Sequence, residues 1–534
     1  MRAVNPGIEA RRADRARAGE RWLVHLAVVA LLPPSLAACR KTTRAASLDA
    51  ATGAVACESL RALALPHVTI TEARVVAAAD APAKIPAHCR VLGTSRPTSD
   101  SDIRFEVAIP IGAAWNGRYQ QVGSGGFAGF LPEDDILEGL SAGNAVAGTD
   151  DGHEAAPNDA RWALGHPEKL VDYGYRALKE TTDAARAIVR AFTGRAPARS
   201  YFTGCSDGGR EALMEAQRYP DDFDGVIAEA PANDATRLFS AMAWNVVAVD
   251  RTPGSYLSPP KLRALQAAAL RACGDAEGVI EDPLACRFDP SSLRCRGPES
   301  DACLTDAQLA AVRAIYGGAR SPRSGERIFP GYEPGAEAEA LSWAGWITGA
   351  SREEASTAEQ RKLASGFFQS MVFAEPAYDL RRLDLDRDVA RAEAQVAAIV
   401  DARDPDLRAF AKHGKLIALH GWNDPAIPPR DSIAYFERVR ETMGDPRAFY
   451  RLFLAPGMLH CGGGPGPNVV PALDALVAWV ERGIAPDAMI ARKHEDDDPA
   501  RPVVRAWPLC PYPQRAIWDG KSERHKAESW RCEG

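Results

Sequence analysis

Ser200-Tyr201-Phe202-Thr203-Gly204-Cys205-Ser206-Asp207-Gly208-Gly209-Arg210-Glu211-Ala212-Leu213-Met214 reads as a strand, a glycine-flanked turn and a helix in immediate succession. Aromatic and β-branched residues precede the turn, and residues 211–218 are good helix formers that stop before Tyr219-Pro220. Outward from this unit, residues 103–110 alternate like a strand, and 119–122 lead into the glycine-rich run 123–129. Residues 145–150 form another short strand, 173–192 repeat at helical spacing, and 226–228 form a further strand. Alternating strands and helices predict an α/β fold, with a mostly parallel sheet flanked by helices. The rhythm is lost over 235–400, where helical stretches, four clustered cysteines and Pro-rich connections predict an inserted lid domain. It resumes at 415–420 and 451–455, so the sheet domain divides into residues 57–234 and 401–534, and no internal repeat interrupts it.

Gly204-Cys205-Ser206-Asp207-Gly208 satisfies G-x-S-x-G, in which small neighbours permit the strained turn that presents a serine hydroxyl. A serine needs a base within reach and a carboxylate to orient that base. Asp424 and His460 each fall just beyond a predicted strand, where ligands sit in open α/β sheets, and the order Ser206, Asp424, His460 is that of the α/β-hydrolase fold. Singly, each residue has a plainer reading, as helix N-cap, Asx-turn residue and surface histidine. Together they predict a catalytic triad. Its oxyanion hole is expected from the Asp207 N–H with Gly125 or Gly126. The run 123–129 lacks the spacing and the Lys-Ser/Thr of a phosphate-binding loop.

The chain has 534 residues, 46% hydrophobic and 25% charged, which is enough for a large catalytic domain with an insertion. Its net charge of -7 provides no basic field for phosphates, which argues against nucleic acid as a partner. Arg11, Arg12, Arg15, Arg17 and Arg21 precede the apolar run 23–32, the order of a secretory signal covering 1–39. Leu36-Ala37-Ala38-Cys39 looks like a bacterial lipobox, which implies acylation of Cys39 and a lipid tether on a periplasmic or secreted protein. The alternative is a plain cleavage site with an incidental cysteine. Lipidation would leave ten of eleven cysteines. Sequence proximity pairs Cys57 with Cys89, Cys273 with Cys286, Cys295 with Cys303 and Cys510 with Cys532, in an oxidising compartment. Parity then favours a Cys205–Cys461 bridge beside the triad, the alternative being a small buried thiol at Cys205 with Cys461 unrelated. Zinc is disfavoured because no CxxC pair or Cys/His group stands at ligand spacing.

At Gly204-Cys205-Ser206-Asp207-Gly208-Gly209-Arg210, with Asp424 and the His460-Cys461 pair, the chain resembles the tannase/feruloyl esterase family. The likeness runs from about Cys57 to Cys532, through Ala216-Gln217-Arg218-Tyr219-Pro220, Asp222-Phe223-Asp224-Gly225, His420-Gly421-Trp422-Asn423-Asp424-Pro425 and Leu509-Cys510-Pro511-Tyr512-Pro513. It implies hydrolysis of small aromatic esters such as feruloyl or galloyl esters, with a lid gripping the acyl group and no cofactor in the chemistry. It also implies a structural calcium in the lid, for which Asp275, Glu277 and the Val279 carbonyl are the matching ligands. The loop is about four residues shorter than the family pattern, and a solvated acidic turn is the alternative reading. Trp343, Trp346, Phe367, Phe368 and Phe373 are lid aromatics, most of them expected in its core. Two other functions share these features: a lipid-anchored binding protein that captures aromatics without catalysis, and acyl transfer by the same triad.

Overall fold

A computed structural model describes residues 55–534 apart from Ala83 and Ala276, so the signal-like segment and Cys39 lie outside the described residues. Successive residues of a strand point to opposite faces of a sheet, and the central strands here are apolar on both. Phe202, Val226, Leu416 and Leu452 pack on one face with Ile188, Leu213 and Phe436 from helices. Their neighbours Tyr201, Ile227, Ile417 and Phe453 pack on the other with Leu476 and Trp479. Burial on both faces is why these strands read as short continuous apolar runs.

The strands are β1 (Val68–Val76), β2 (His88–Ser95), β3 (Ile103–Pro110), β4 (Arg118–Val122), β5 (Ala145–Thr149), β6 (Arg199–Cys205), β7 (Gly225–Glu229), β8 (Lys415–Gly421) and β9 (Tyr450–Ala455), in the sheet order β1-β2-β3-β5-β4-β6-β7-β8-β9. Pairing is parallel from β5 through β9, and antiparallel among β1, β2, β3 and β5. The longer helices are α1 (Glu133–Ser141), α2 (Ala177–Thr193) and α3 (Asp207–Arg218) before the insertion, and Pro429–Met443 and Ala472–Arg482 after it. Two registers align the loops that matter. Val122 pairs with Thr203, so the chain leaves β4 and β6 side by side, and Gly421 pairs with Ala455, so it leaves β8 and β9 side by side. All four exits lie at the carboxyl edge of the parallel strands.

Between β7 and β8 the chain builds a helical layer that includes α4 (Ala235–Asp250), α5 (Pro259–Cys273), α6 (Asp306–Gly317), α7 (Glu359–Gly366) and α8 (Leu385–Ala392). Thr305 and Gln308 form a reciprocal capping box at the start of α6, which satisfies two otherwise orphaned N–H groups. Widened π turns at Asp172–Arg176 and Ala344–Thr348 each carry an aromatic residue of the site. The inserted layer grips the exit loop of β8: Asn423 Nδ2 donates to Pro334 O (3.0 Å), Gln360 Nε2 to Pro425 O (2.8 Å) and Tyr332 Oη to Ala426 O (3.1 Å). After β9 the hairpins β10 (Met489–His494) with β11 (Val503–Leu509) and β12 (Arg515–Trp518) with β13 (Trp530–Glu533) fold back, and Trp507 and Trp530 pack on Val279 of the insertion.

Candidate active site

Ser206 sits at φ 65°, ψ -119°, a conformation costing a non-glycine residue about 1–3 kcal/mol and therefore held by its surroundings. Its N–H donates to Glu229 O on the adjacent strand (3.0 Å). Its carbonyl accepts the N–H groups of Arg210 (3.1 Å) and Ala232 (3.0 Å). The turn brings strand and helix backbones so close that a Cβ on Gly204 would lie 2.4 Å from Gly208 O, and one on Gly209 2.4 Å from Glu229 O. Those clashes explain the glycines of the motif. Ser206 occupies the position before α3, yet its hydroxyl caps no helix N–H. The Asp207 N–H opens the helix, where first-turn donors have no intrahelical partner.

Asp424 uses its two oxygens differently. Oδ1 accepts the N–H groups of Ala426 (2.7 Å) and Ile427 (2.9 Å), while Oδ2 lies 2.7 Å from His460 Nδ1. The plainer Asx-turn reading is thus also true, and the turn is what aims the second oxygen. His420, fully buried, adds a second imidazole: its Nε2 lies 3.0 Å from Ile427 O and 3.2 Å from Asp424 Oδ2. Both neighbours can only accept, so Nε2 carries the hydrogen, and Nδ1 faces Ser432 Oγ at 2.8 Å. By the same reasoning His460 Nδ1 carries its hydrogen, leaving Nε2 as the basic nitrogen. Burial alone would raise the Asp424 carboxyl, but His460 and His420 reverse that and hold it well below the usual carboxylate range.

A disulfide joins Cys205, the residue before Ser206, to Cys461, the residue after His460, with 5.9 Å between their Cα atoms. The other cysteines join as Cys57–Cys89, Cys273–Cys286, Cys295–Cys303 and Cys510–Cys532. The Cys205–Cys461 bridge closes a loop across the whole insertion, so it ties the turn after β6 to the loop after β9. Replacing both cysteines by alanine is expected to lower unfolding stability by about 2–5 kcal/mol and to reduce kcat at temperatures where the fold persists. Urea titration and kcat measured on the same preparation check this, and unchanged kcat refutes a role for the bridge in aligning the site.

The glycine run after β4 is nearly saturated with hydrogen bonds. Gly123 N donates to Thr203 O (2.9 Å), Ser124 N to Glu211 Oε2 (3.0 Å) and Phe127 N to Pro157 O (2.6 Å), while Ser124 O accepts from Gly208 N (2.9 Å). Phe127 O accepts from His153 Nε2 (2.8 Å), whose ring burial keeps neutral by pushing its pKa down to about 4. The N–H groups of Gly125 and Gly126 have no acceptor among the described residues. Gly126 has φ +64° and its Cβ would lie 2.1 Å from Pro157 O, so no other residue fits. Beneath the loop, Arg210 is fully buried and donates to Asp207 Oδ1 (2.6 Å), Asp207 Oδ2 (3.0 Å), Gly174 O (2.8 Å) and Tyr173 O (3.1 Å). Tyr173 Oη completes Asp207 Oδ1 at 2.9 Å. His420, Tyr173 and Arg210 are the supports that sequence reasoning missed. His420, four residues before Asp424, and Arg210, three after Asp207, stand inside the motifs that carry the family resemblance, and that placement with those spacings was their signal.

Among the five lid aromatics, Trp346 meets the triad, edge to face with His460 at 5.1 Å between centroids. Trp343 is buried with Leu262, Leu309 and Tyr332. Phe367 and Phe368 are buried with Phe239 and Met242, and Phe373 stacks on Phe368. The Asp275, Glu277 and Val279 set does not present itself to a cation. Asp275 Oδ1 accepts the N–H groups of Glu277 (2.9 Å) and Val279 (2.8 Å), and the Val279 carbonyl accepts the Asp275 N–H (2.8 Å). Guanidinium groups face the carboxylates: Arg505 lies 2.7 Å from Glu277, Arg524 pairs with Glu281 and lies 3.9 Å from Asp275, and Arg515 pairs with Asp282. Asp275 Oδ2, Glu277 Oε2 and Glu281 Oε1 accept no aligned hydrogen bond, but a divalent ion among them would stand beside three positive charges. Calcium wants six to eight oxygens, which the described residues of this shortened loop do not assemble.

The chain is similar to known proteins in sequence and in fold. The profile described as tannase and feruloyl esterase matches residues 89–533. The chain is 42% identical to an uncharacterized esterase of Xanthomonas campestris pv. campestris, over 91% of this chain and 92% of that one. It is 32% identical to mono(2-hydroxyethyl) terephthalate hydrolase of Piscinibacter sakaiensis, over 84% and 85%. The crystal structure of feruloyl esterase B from Aspergillus oryzae superimposes with a TM-score of 0.80 at 27% identity, covering 89% of this chain and 99% of that one.

Proposed function

Because the chain belongs to the tannase and feruloyl esterase family and is a carboxylic ester hydrolase, we propose that it cleaves small esters of aromatic acids, feruloyl or galloyl esters among them, through an acyl-enzyme on Ser206. The observation that carries this reading is the Asp424–His460 hydrogen bond, tied to Ser206 through the Cys205–Cys461 bridge. His460 Nε2 takes the Ser206 proton as Oγ attacks the ester carbonyl. The oxyanion is met by the N–H of Asp207 and that of Gly125 or Gly126. His460 then gives its proton to the departing alcohol. Water, deprotonated by His460, attacks the acyl ester, and Ser206 leaves with the proton as the free acid is released. Trp346 stands where an aromatic acyl group would meet the lid.

Methyl ferulate, methyl gallate and a peptide amide, each with and without added alcohol, test this directly. Burst release of methanol and steady formation of free acid are expected from the methyl esters. No burst and no turnover would make the chain a binding protein. New ester in place of free acid would make it a transferase, and faster amide cleavage would make it a peptidase.

Under the same proposal the 275–282 loop works without calcium, its carboxylates being balanced by Arg505, Arg515 and Arg524. Chelator is then expected to leave the Tm unchanged, whereas Arg524→Gln lowers stability by about 1–3 kcal/mol, the pair being only partly buried. A calcium-dependent rise in Tm would overturn it. No helix among the described residues is long and apolar enough to cross a membrane. The disulfides suit an oxidising, extracytoplasmic compartment, with acylated Cys39 as the proposed tether.

A further inference from the structure

Directly under the glycine run lie two acidic side chains that the reaction does not use. Asp151, in the loop after β5, and Glu211, on α3 one turn beyond Asp207, are both fully buried. One carboxyl oxygen from each of them and one from Asp207 lie within 4.8 Å of one another, and the Asp151 and Glu211 groups are in hydrogen-bonding contact. Asp207 is already satisfied by Arg210 and Tyr173, so the buried Arg210 guanidinium is engaged. Glu211 Oε2 accepts the Ser124 N–H. Glu211 Oε1 and both oxygens of Asp151 face no N–H or O–H donor. Two adjacent buried carboxylates without a cation are strongly disfavoured, and a proton between them removes both the repulsion and the orphaned oxygens.

We propose that Asp151 and Glu211 share a proton and serve as positioning residues for the oxyanion-binding loop, a role that rests on the acyl-enzyme reading above. The bridged pair keeps Glu211 Oε2 on the Ser124 N–H while Ser124 O holds the Gly208 N–H. These bonds set the free N–H groups of Gly125 and Gly126 at a fixed distance from the Ser206 turn. The groups facing the pair are Asp207, Arg210 and buried Glu215 on α3, Tyr173 on the π turn, and His153, whose ring meets the Asp151 backbone. Nearby Asp150 is committed to Arg104 at 2.6 Å. Burial first, and the neighbouring Asp207 second, push the Glu211 carboxyl up to about 7, and burial with Glu211 raises Asp151 well above its ordinary value. A carboxyl raised in the folded state supports folding at low pH, and that contribution is lost as pH rises through about 7.

The test compares the full-length enzyme with Glu211→Ala, Glu211→Gln and Asp151→Asn, measuring kcat and KM for methyl ferulate across pH together with Tm across pH. Glu211→Ala is expected to lower kcat by about 10²-fold with little change in KM, the scale of a roughly 1 Å misplacement. Glu211→Gln should restore most of that loss. Its carbonyl can accept the Ser124 N–H while its amide donates to an ionised Asp151, and with no shared proton to lose the alkaline decline in kcat and Tm should flatten. Asp151→Asn should behave alike. Glu211→Gln as impaired as Glu211→Ala, or a wild-type alkaline limb in both conservative variants, would overturn the proposal. Chelator-sensitive kcat in the wild type, restored by a divalent metal and absent in Glu211→Gln, would overturn it in favour of a cation. If the wild type turns over no ester, the acyl-enzyme reading fails, while the Tm profiles still report on the shared proton.

Discussion

Replacing Ser206 by alanine is expected to lower kcat on methyl ferulate by on the order of 10⁶-fold, with the fold and the affinity for ferulate unchanged. Under the proposed acyl-enzyme mechanism the residue supplies the bond-forming oxygen, and its removal leaves only substrate binding and the oxyanion donors, which alone retain catalysis of about 10³–10⁴-fold over water. Because nucleophile and base act as a unit, Ser206→Ala combined with His460→Ala should be no worse than either alone. Single-turnover kinetics with product identification reads this out, and residual activity within tenfold of wild type would exclude Ser206 as nucleophile. The strained φ of 65° is kept by the backbone bonds to Glu229, Arg210 and Ala232, so the variant should fold.

Asp424→Asn is expected to lower kcat by about 10⁴-fold while KM changes little. The new amide can keep its carbonyl on the N–H groups of Ala426 and Ile427, preserving the turn. Its NH2 then faces His460 Nδ1 and His420 Nε2, where the carboxylate had accepted both hydrogens. His460 is driven to carry its hydrogen on Nε2, the nitrogen that must take the serine proton. His420, held by Ile427 O and Ser432, cannot turn away, so a buried donor is left opposite a donor. Circular dichroism unchanged with kcat lost is the expected combination. A loss of kcat only in proportion to lost folded protein would reduce Asp424 to a structural turn residue.

The central sheet was legible because its signals are local. The run 103–110 matches β3 residue for residue, and the units ending at Ser206, Asp424 and His460 stand where alternation placed them. β1 escaped notice because it is an antiparallel edge strand whose exposed residues break the apolar run, as the pattern of Val68–Val76 shows, and β2, though paired on both sides and largely buried, carries His88, Arg90, Gly93, Thr94 and Ser95 in place of such a run. The π turns carrying Tyr173 and Trp346 also have no sequence signal that separates them from ordinary helix. Trp343 and Trp346 stand three residues apart and look interchangeable, yet one fills the core of the insertion and the other meets His460.

By itself the sequence determined where the serine, carboxylate and histidine of the proposed triad stand relative to the strands. A glycine-flanked serine, a carboxylate and a histidine, each just past a strand, report local turn geometry, and local geometry is written in neighbouring residues. Tertiary structure decided what surrounds each charge. It placed His420 behind Asp424, Arg210 on Asp207, three arginines on the 275–282 loop and Asp151 against Glu211. Asp275 and Glu281 are answered by Arg524, more than two hundred residues along the chain. Burial makes such pairings decisive, because a charge away from water must find a partner or a proton, and which one it finds depends on elements that meet only when the chain has folded.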